Sequence, residues 1–224
     1  NDTDNDGIPN LQDTDDNNDG QPDADADSDG LIDIETWAEL DAIRHNLKGT
    51  SQRLTANGAA DNSGCPAQIV DGVAVLACAG YELLNDLDFD TNNDNVLDAS
   101  DTYWNAGAGW VAIGEGSNNP FAAIFEGNGF VIRNLMINRP SSPFQGLFGY
   151  TKDTIIRHLG ITGPMTSIRG ASWVGAFSGV AGTDSNLIGV FATGSVEALN
   201  SSGVAGGLVG SGGQVRNAFS TVTV

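Results

Sequence analysis

The chain has 224 residues and a formal net charge of −20. A surface this acidic excludes phosphate recognition, and so nucleic acid, and argues against anionic lipid faces. No apolar run is long enough to span a bilayer, and 30 glycines point to many tight turns and closely stacked backbone.

Residues 1–33 hold twelve aspartates and neither lysine nor arginine. Asp2, Asp4, Asp6, Gly7, Asn10 and Asp13 fall at positions 1, 3, 5, 6, 9 and 12 of a calcium loop. That spacing supplies hard oxygen ligands at alternate residues, a glycine for the sharp turn and a carboxylate to close the cage. A second loop is centred on Gly20, with Asp15, Asn17, Asp19 and Asp23; its position 12 is Ala26, so Asp25 or Asp27 has to close it. A third is centred on Gly30, with Asp25, Asp27, Asp29 and Asp33; its position 12 is Thr36, beside Glu35. At position 7, Ile8, Gln21 and Leu31 each offer a backbone carbonyl. Pro9 and Pro22 oppose helices flanking the first two loops, unlike EF-hands. Without an ion these carboxylates repel one another and the segment is an extended acidic coil.

Residues 36–48 read as a helix. Thr36 and Glu39 form a capping box, Trp37, Leu40, Ile43 and Leu47 recur at helical spacing, and Gly49 ends the run. This apolar stripe is expected to lie over the end of whatever follows. Residues 50–80 are irregular, with a hairpin or strand at Val73 to Ala77 pinned by a disulfide between Cys65 and Cys78, the pairing that suits an exported protein. Tyr81 to Phe89 alternates like one strand. A fourth calcium loop then fits Asp90, Asn92, Asp94, Asn95, Val96, Asp98 and Asp101 at positions 1, 3, 5, 6, 7, 9 and 12, with Asn95 in the glycine's place.

From residue 110 the sequence repeats. Gly146-Leu147-Phe148-Gly149 returns as Gly175-Ala176-Phe177-Ser178-Gly179 and as Gly207-Leu208-Val209-Gly210. A second phrase runs through Ile132-Arg133-Asn134-Leu135, Ile156-Arg157-His158-Leu159, Leu187-Ile188-Gly189-Val190 and Val215-Arg216-Asn217-Ala218, at spacings of 24, 31 and 28 residues. Short strands and glycine turns at that period signal a solenoid, whose turns share one core because none can bury its apolar face alone. Ser178 interrupts the first phrase and leaves the strand register there open. The expected fold is mainly β: a parallel β-helix with an N-terminal calcium-loop segment over 1–33 and a second unit over 34–224. That unit comprises the capping helix, a disulfide-bearing opening over 50–109 and regular turns over 110–224.

The N-terminal loops resemble thrombospondin type-3 calcium repeats. The Gly-Leu-Phe-Gly and Gly-Gly-Leu-Val-Gly phrases, with Trp110 to Gly114, Phe125 to Gly129 and Ile132 to Leu135, resemble the GLUG motif of bacterial surface proteins. Together the resemblances cover most of the chain. They imply a large secreted or surface-attached adhesin, whose solenoid would face a glycan, a surface or another copy of itself.

No catalytic set is evident: the chain has no Gly-x-Ser-x-Gly elbow, HExxH helix or phosphate loop. His158 occupies a repeat position that reads as structural. Arg133, Arg157 and Arg216 read as one column along the solenoid, for charge balance or for a polysaccharide groove. The expectation is a non-enzymatic, calcium-stabilised extracellular module that takes up several Ca²⁺ ions and does not insert into a membrane. A self-assembling fibre subunit is the alternative, and a calcium-dependent polysaccharide lyase a lesser one. Because its first residue lies inside a loop and Phe219 to Val224 stops in mid-strand, the chain is expected to be part of a longer protein.

Overall fold

The computed structural model describes residues 23–70 and 72–224. The first calcium loop (Asp2, Asp4, Asp6, Ile8, Asn10, Asp13) and most of the second (Asp15, Asn17, Asp19, Gln21) lie outside the described residues.

A short strand, β1 (Ile32–Ile34), leads into helix α1 (Trp37–Ala42). The capping box forms as expected: Glu39 N–H donates to Thr36 Oγ1, and Thr36 N–H donates to Glu39 Oε2. The helix is shorter than its apolar spacing implies. Ile43–His45 is already a 3₁₀ turn, and Asn46 leaves helical geometry (φ −147°, ψ 80°). Its side-chain amide donates instead to Thr50 Oγ1 and to Ser51, a local bond that competes with the helix. Strands β2 (Ala67–Val70) and β3 (Val73–Leu76) form the antiparallel hairpin, closed by the Cys65–Cys78 disulfide.

The stretch from Tyr81 to Phe89 is two strands, not one: β4 (Gly80–Leu83) and β5 (Leu87–Asp88) flank a corner at 84–86. Asp86 at this corner takes Val131 N–H and the Arg133 guanidinium, which turns the chain onto a new face.

Three solenoid turns follow. The first holds β6 (Ile124–Glu126), β7 (Val131–Arg133), β8 (Met136–Arg139), β9 (Phe144–Gln145) and β10 (Phe148–Thr151). The second holds β11 (Ile155–Arg157), β12 (Gly160–Thr162), β13 (Ser167–Gly170), β14 (Trp173–Gly175) and the first half of β15 (Ser178–Ile188). The third runs through the rest of β15, then β16 (Phe191–Ala198), β17 (Val204–Gly206) and the start of β18 (Val209–Arg216). The end of β18 and β19 (Phe219–Thr223) begin a fourth. Apart from the hairpin, the strand pairings are parallel and form three faces: β1-β4-β6-β11-β15-β10 with β18 on β15, β5-β7-β12-β16-β13-β8 with β19 on β16, and β17-β14-β9.

Register stacks like on like. Ile32, Tyr81, Phe125, Ile156 and Leu187 form one buried inward column across the first face. Leu87, Ile132, Ile161 and Ala192 form another across the second. At the β1 end, Trp37 of α1 packs on Phe89, Tyr103 and Trp110, and its indole N–H donates to Asp88 O, so the helix stripe is part of the core.

Two parts of the repeat are corrected by this register. Phe125, Ile156, Leu187 and Val215 are the equivalent residues, which sets the turn lengths at 31, 31 and 28. Ile132 pairs with Ile161 on a different face. The phrases at 132 and 156 look alike because both end at a corner in left-handed backbone, Asn134 (φ 55°) and His158 (φ 51°), where asparagine and histidine are tolerated. Consequently Arg133 stands on the second face while Arg157 and Arg216 stand on the first, separated there by Ile188. The three arginines make no single column.

The register around Ser178 is regular. Ser178 pairs with both Phe148 and Val209, and Gly175 aligns with Gly206. The second and third units share one extra residue, and the first unit is the shorter one. Ser178 is buried and its hydroxyl donates to Val180 O.

Backbone closeness here is absolute: a Cβ on Gly175 would lie 2.4 Å from Ser178 O and 2.6 Å from Gly210 N. Gly175→Ala therefore forces backbone apart between turns. It should cost about 1–3 kcal/mol, read as a lowered urea midpoint at unchanged slope.

Candidate metal centre

Asp25 to Asp33 wraps a tight turn with Ser28 (φ 57°) and Gly30 (φ 95°) in left-handed backbone. The fully buried Asp25 receives Asp29 N–H on Oδ1 and Gly30 N–H on Oδ2. Asp27 Oδ1 receives Asp29 N–H, and Asp29 Oδ1 receives Leu31 N–H. Carboxylate oxygens of Asp25, Asp27 and Asp29 can all lie within 4.8 Å of one another.

The fourth loop repeats this wiring 65 residues later. Asp90 receives Asp94 N–H on Oδ1 and Asn95 N–H on Oδ2. Asn92 Oδ1 receives Asp94 N–H, and Asp94 Oδ1 receives Val96 N–H. Asn95 stands at φ 65°, so it takes the glycine's role as its sequence position implies. The two segments thus share one hydrogen-bond pattern, in which the N–H groups of positions 5, 6 and 7 bond side-chain oxygens at positions 1, 3 and 5.

The loops differ in how they close. In the fourth, Asp101 at position 12 receives Thr91 N–H from position 2 and Asp98 N–H. Asp98 itself faces Ser100, accepting its N–H and hydroxyl. In the third, the N–H at position 2 is that of Ala26, and it donates to Asp33 Oδ2. Asp33, at position 9, therefore does what Asp101 does at position 12. Thr36 serves as the helix N-cap and is not part of the cage. Of the second loop, the described residues show Asp23 buried beside the third loop. Asp25, considered as its closing ligand, has both oxygens engaged within the third.

The third loop is seated firmly on the chain that follows. Asp25 N–H donates to Ser63 O, Ala24 N–H to Ser63 Oγ, and Ala79 N–H to Gly30 O. A Cβ on Gly64 would meet Asp25 O at 1.8 Å, so only glycine fits there. Cys78 Sγ lies 3.3 Å from Asp25 Oδ2, but both cysteine sulfurs are tied in the disulfide and offer no thiolate to an ion.

Strand β1 carries Asp33 into register with Glu82 of β4, which pairs in turn with Glu126 of β6 and Arg157 of β11. This outward column is acidic at one end and basic further along. Glu126 is paired locally with the Arg157 guanidinium, and His158 Nδ1 lies 3.1 Å from its Oε1. Among the described residues Glu82 has only Asn128, whose amide donates to Oε2. Sequence reading missed Glu82, because nothing near it in the chain marks it.

Burial pushes the carboxyls of this cluster up: Asp25 to about 7 against its Gly30 and Asp29 N–H donors, Asp33 to about 6, and Glu82 to about 7. Neighbouring aspartates push in the same direction. Without metal, the folded state holds protons here that the unfolded chain has already released. The stability these three carboxyls contribute is then greatest below about pH 4 and is lost as pH rises through 6 and 7. Thermal melts in chelator should show a lower Tm at pH 7.5 than at pH 4.5, from a loss of stability on the order of a few kcal/mol.

No family model matches the chain, and no solved structure gives a match. Two curated proteins do. A 75-residue stretch, 33% of this chain, is 37% identical to a protein of Evansella cellulosilytica described as a Gly-rich membrane protein, of which it covers 9%. A 117-residue stretch, 48% of this chain, is 32% identical to halomucin of Haloquadratum walsbyi, of which it covers 1%. The chain thus spans only a small part of the length of the relatives it matches, and among its described residues no helix is long and apolar enough to cross a membrane.

Proposed function

We propose that this chain is a calcium-stabilised structural module of a large extracellular or cell-surface protein, in which acidic loops hold Ca²⁺ and a β-solenoid provides a stiff, long face. The observation that carries this reading is the shared wiring of the third and fourth loops, which presents hard oxygen ligands at alternate positions in both. Oxygen-only donors at this spacing suit Ca²⁺ better than Zn²⁺ or Cu²⁺. The proposed ligands are Asp25, Asp27, Asp29, Asp33 and the Leu31 carbonyl in one site, and Asp90, Asn92, Asp94, Asp98, Asp101 and the Val96 carbonyl in the other. The two loops upstream would hold further ions in the same way.

The partial matches to a membrane protein and to halomucin, both far longer than this chain, support a repeated surface element. We assign the solenoid face to adhesion, towards a glycan or a surface, with no catalysis. The lyase reading needs calcium carboxylates and a basic residue on one face, and it stays the lesser alternative. The fibre reading draws on the last rung, where Val215 and Phe219 are 44% and 58% exposed and a further rung, from this chain or a copy, would cover them.

Millimolar calcium should raise Tm by several degrees at pH 7.5, since ligand at about 100 times its Kd adds about 2.7 kcal/mol. No rise would defeat the calcium assignment. Asp94→Ala should remove more stability in calcium than in chelator. Light scattering in the same buffers separates the two assemblies: constant mass supports the monomeric stalk, and calcium-dependent growth to very high mass supports the fibre.

A further inference from the structure

Alternation along β4 sends Tyr81 and Leu83 into the core and Glu82 outward, where a glutamate is ordinarily solvated. Glu82 is nevertheless only 4% exposed. Asp29, Asp27 and Asp33 of the acidic loop are close enough to act on its charge. One of its oxygens, Oε2, is held by Asn128; the other, Oε1, is buried without a hydrogen-bond partner among the described residues. Asp33, its neighbour across the β1–β4 ladder, shows the same split: Oδ2 takes Ala26 N–H, and Oδ1 is buried without a partner among the described residues.

Paired residues of a parallel ladder project to the same side, about 5 Å apart. Two buried carboxylate oxygens, both without a hydrogen-bond partner among the described residues, therefore stand on neighbouring rungs, next to the loop that gathers Asp25, Asp27 and Asp29. Leaving such oxygens bare is costly, and placing two of them together adds repulsion. A divalent cation satisfies both at once.

We propose that the ion of the third loop is bound jointly by the loop and the solenoid, with Asp33 closing the loop at position 9 and Glu82 of β4 supplying a carboxylate from outside it. This rests on the calcium reading above and extends it. Loop four closes on its own Asp101; loop three, three residues shorter, borrows a ligand from the neighbouring strand. Calcium would then fasten β1 to β4 through side chains as well as through the ladder, and loading of this site would be coupled to the order of the first solenoid face.

The test is a calcium titration by isothermal calorimetry, paired with melts in calcium and in chelator, on the whole chain. Glu82→Gln keeps the shape and the Asn128 contact but removes the charge. It should weaken one site at least tenfold, leave the fourth-loop site at its wild-type affinity, and hold or raise Tm in chelator. Glu82→Asp, which keeps the charge but withdraws the oxygens by one methylene, should weaken the same site and serves if the glutamine variant folds poorly. Wild-type affinity at every site in both variants would overturn the role of Glu82 while leaving the calcium reading standing. A wild-type chain that takes up no calcium would overturn both.

Discussion

Every inward side chain of the solenoid is roofed by the residue one rung along, and lateral parallel pairing is what puts it there. The column Ile32, Tyr81, Phe125, Ile156, Leu187 shows how far this reaches: five residues drawn from 156 positions of sequence stay dry because each rung repeats the phase of the last. Where the stacking ends, so does the burial, and Val215, the sixth member, is 44% exposed. At the other end the problem is solved with a different element. Helix α1 and the 3₁₀ turn after it lay Trp37, Leu40 and Ile43 into the core, anchored by an indole bond to Asp88 O. Such architectures are stabilised by neighbour terms, so what happens at the first rung affects the whole stack.

Charge on the outside follows the same ladder. Glu126 has a guanidinium one rung along and a histidine beside it; Glu82, one rung earlier, has an asparagine and three aspartates. The solenoid is therefore electrostatically self-sufficient from Glu126 onward and deficient in positive charge at its beginning. That deficiency coincides with the seat of the acidic loop.

Local chemistry was legible in the sequence wherever its partners lie close by. The Thr36–Glu39 capping box, the disulfide-pinned hairpin, the Asp-x-Asp-x-Asp spacing with Gly30 or Asn95 at the turn, and the solenoid class are all short-range or periodic signals, and each corresponds to an observed feature. Phase was harder. Ile132-Arg133-Asn134 and Ile156-Arg157-His158 are similar strings because two different corners both demand left-handed backbone, and the spacing of 24 against 31 and 28 was the sign that they belonged to different faces. The helix was overcalled because apolar spacing does not register an asparagine that bonds forward to Thr50 and Ser51. Glu82 was illegible for a more basic reason: its neighbour Asp33 lies 49 residues away, and only the β1–β4 register brings them side by side.

The direction of the inter-rung hydrogen bonds has a mechanical consequence. They run along the solenoid axis while the strands run across it, so tension applied to the chain loads them one rung at a time rather than all together. Each turn of about 31 residues that peels away would release roughly 100 Å of extended chain. A stack of such turns behaves as stored length, let out in steps under load and recovered when the load is removed.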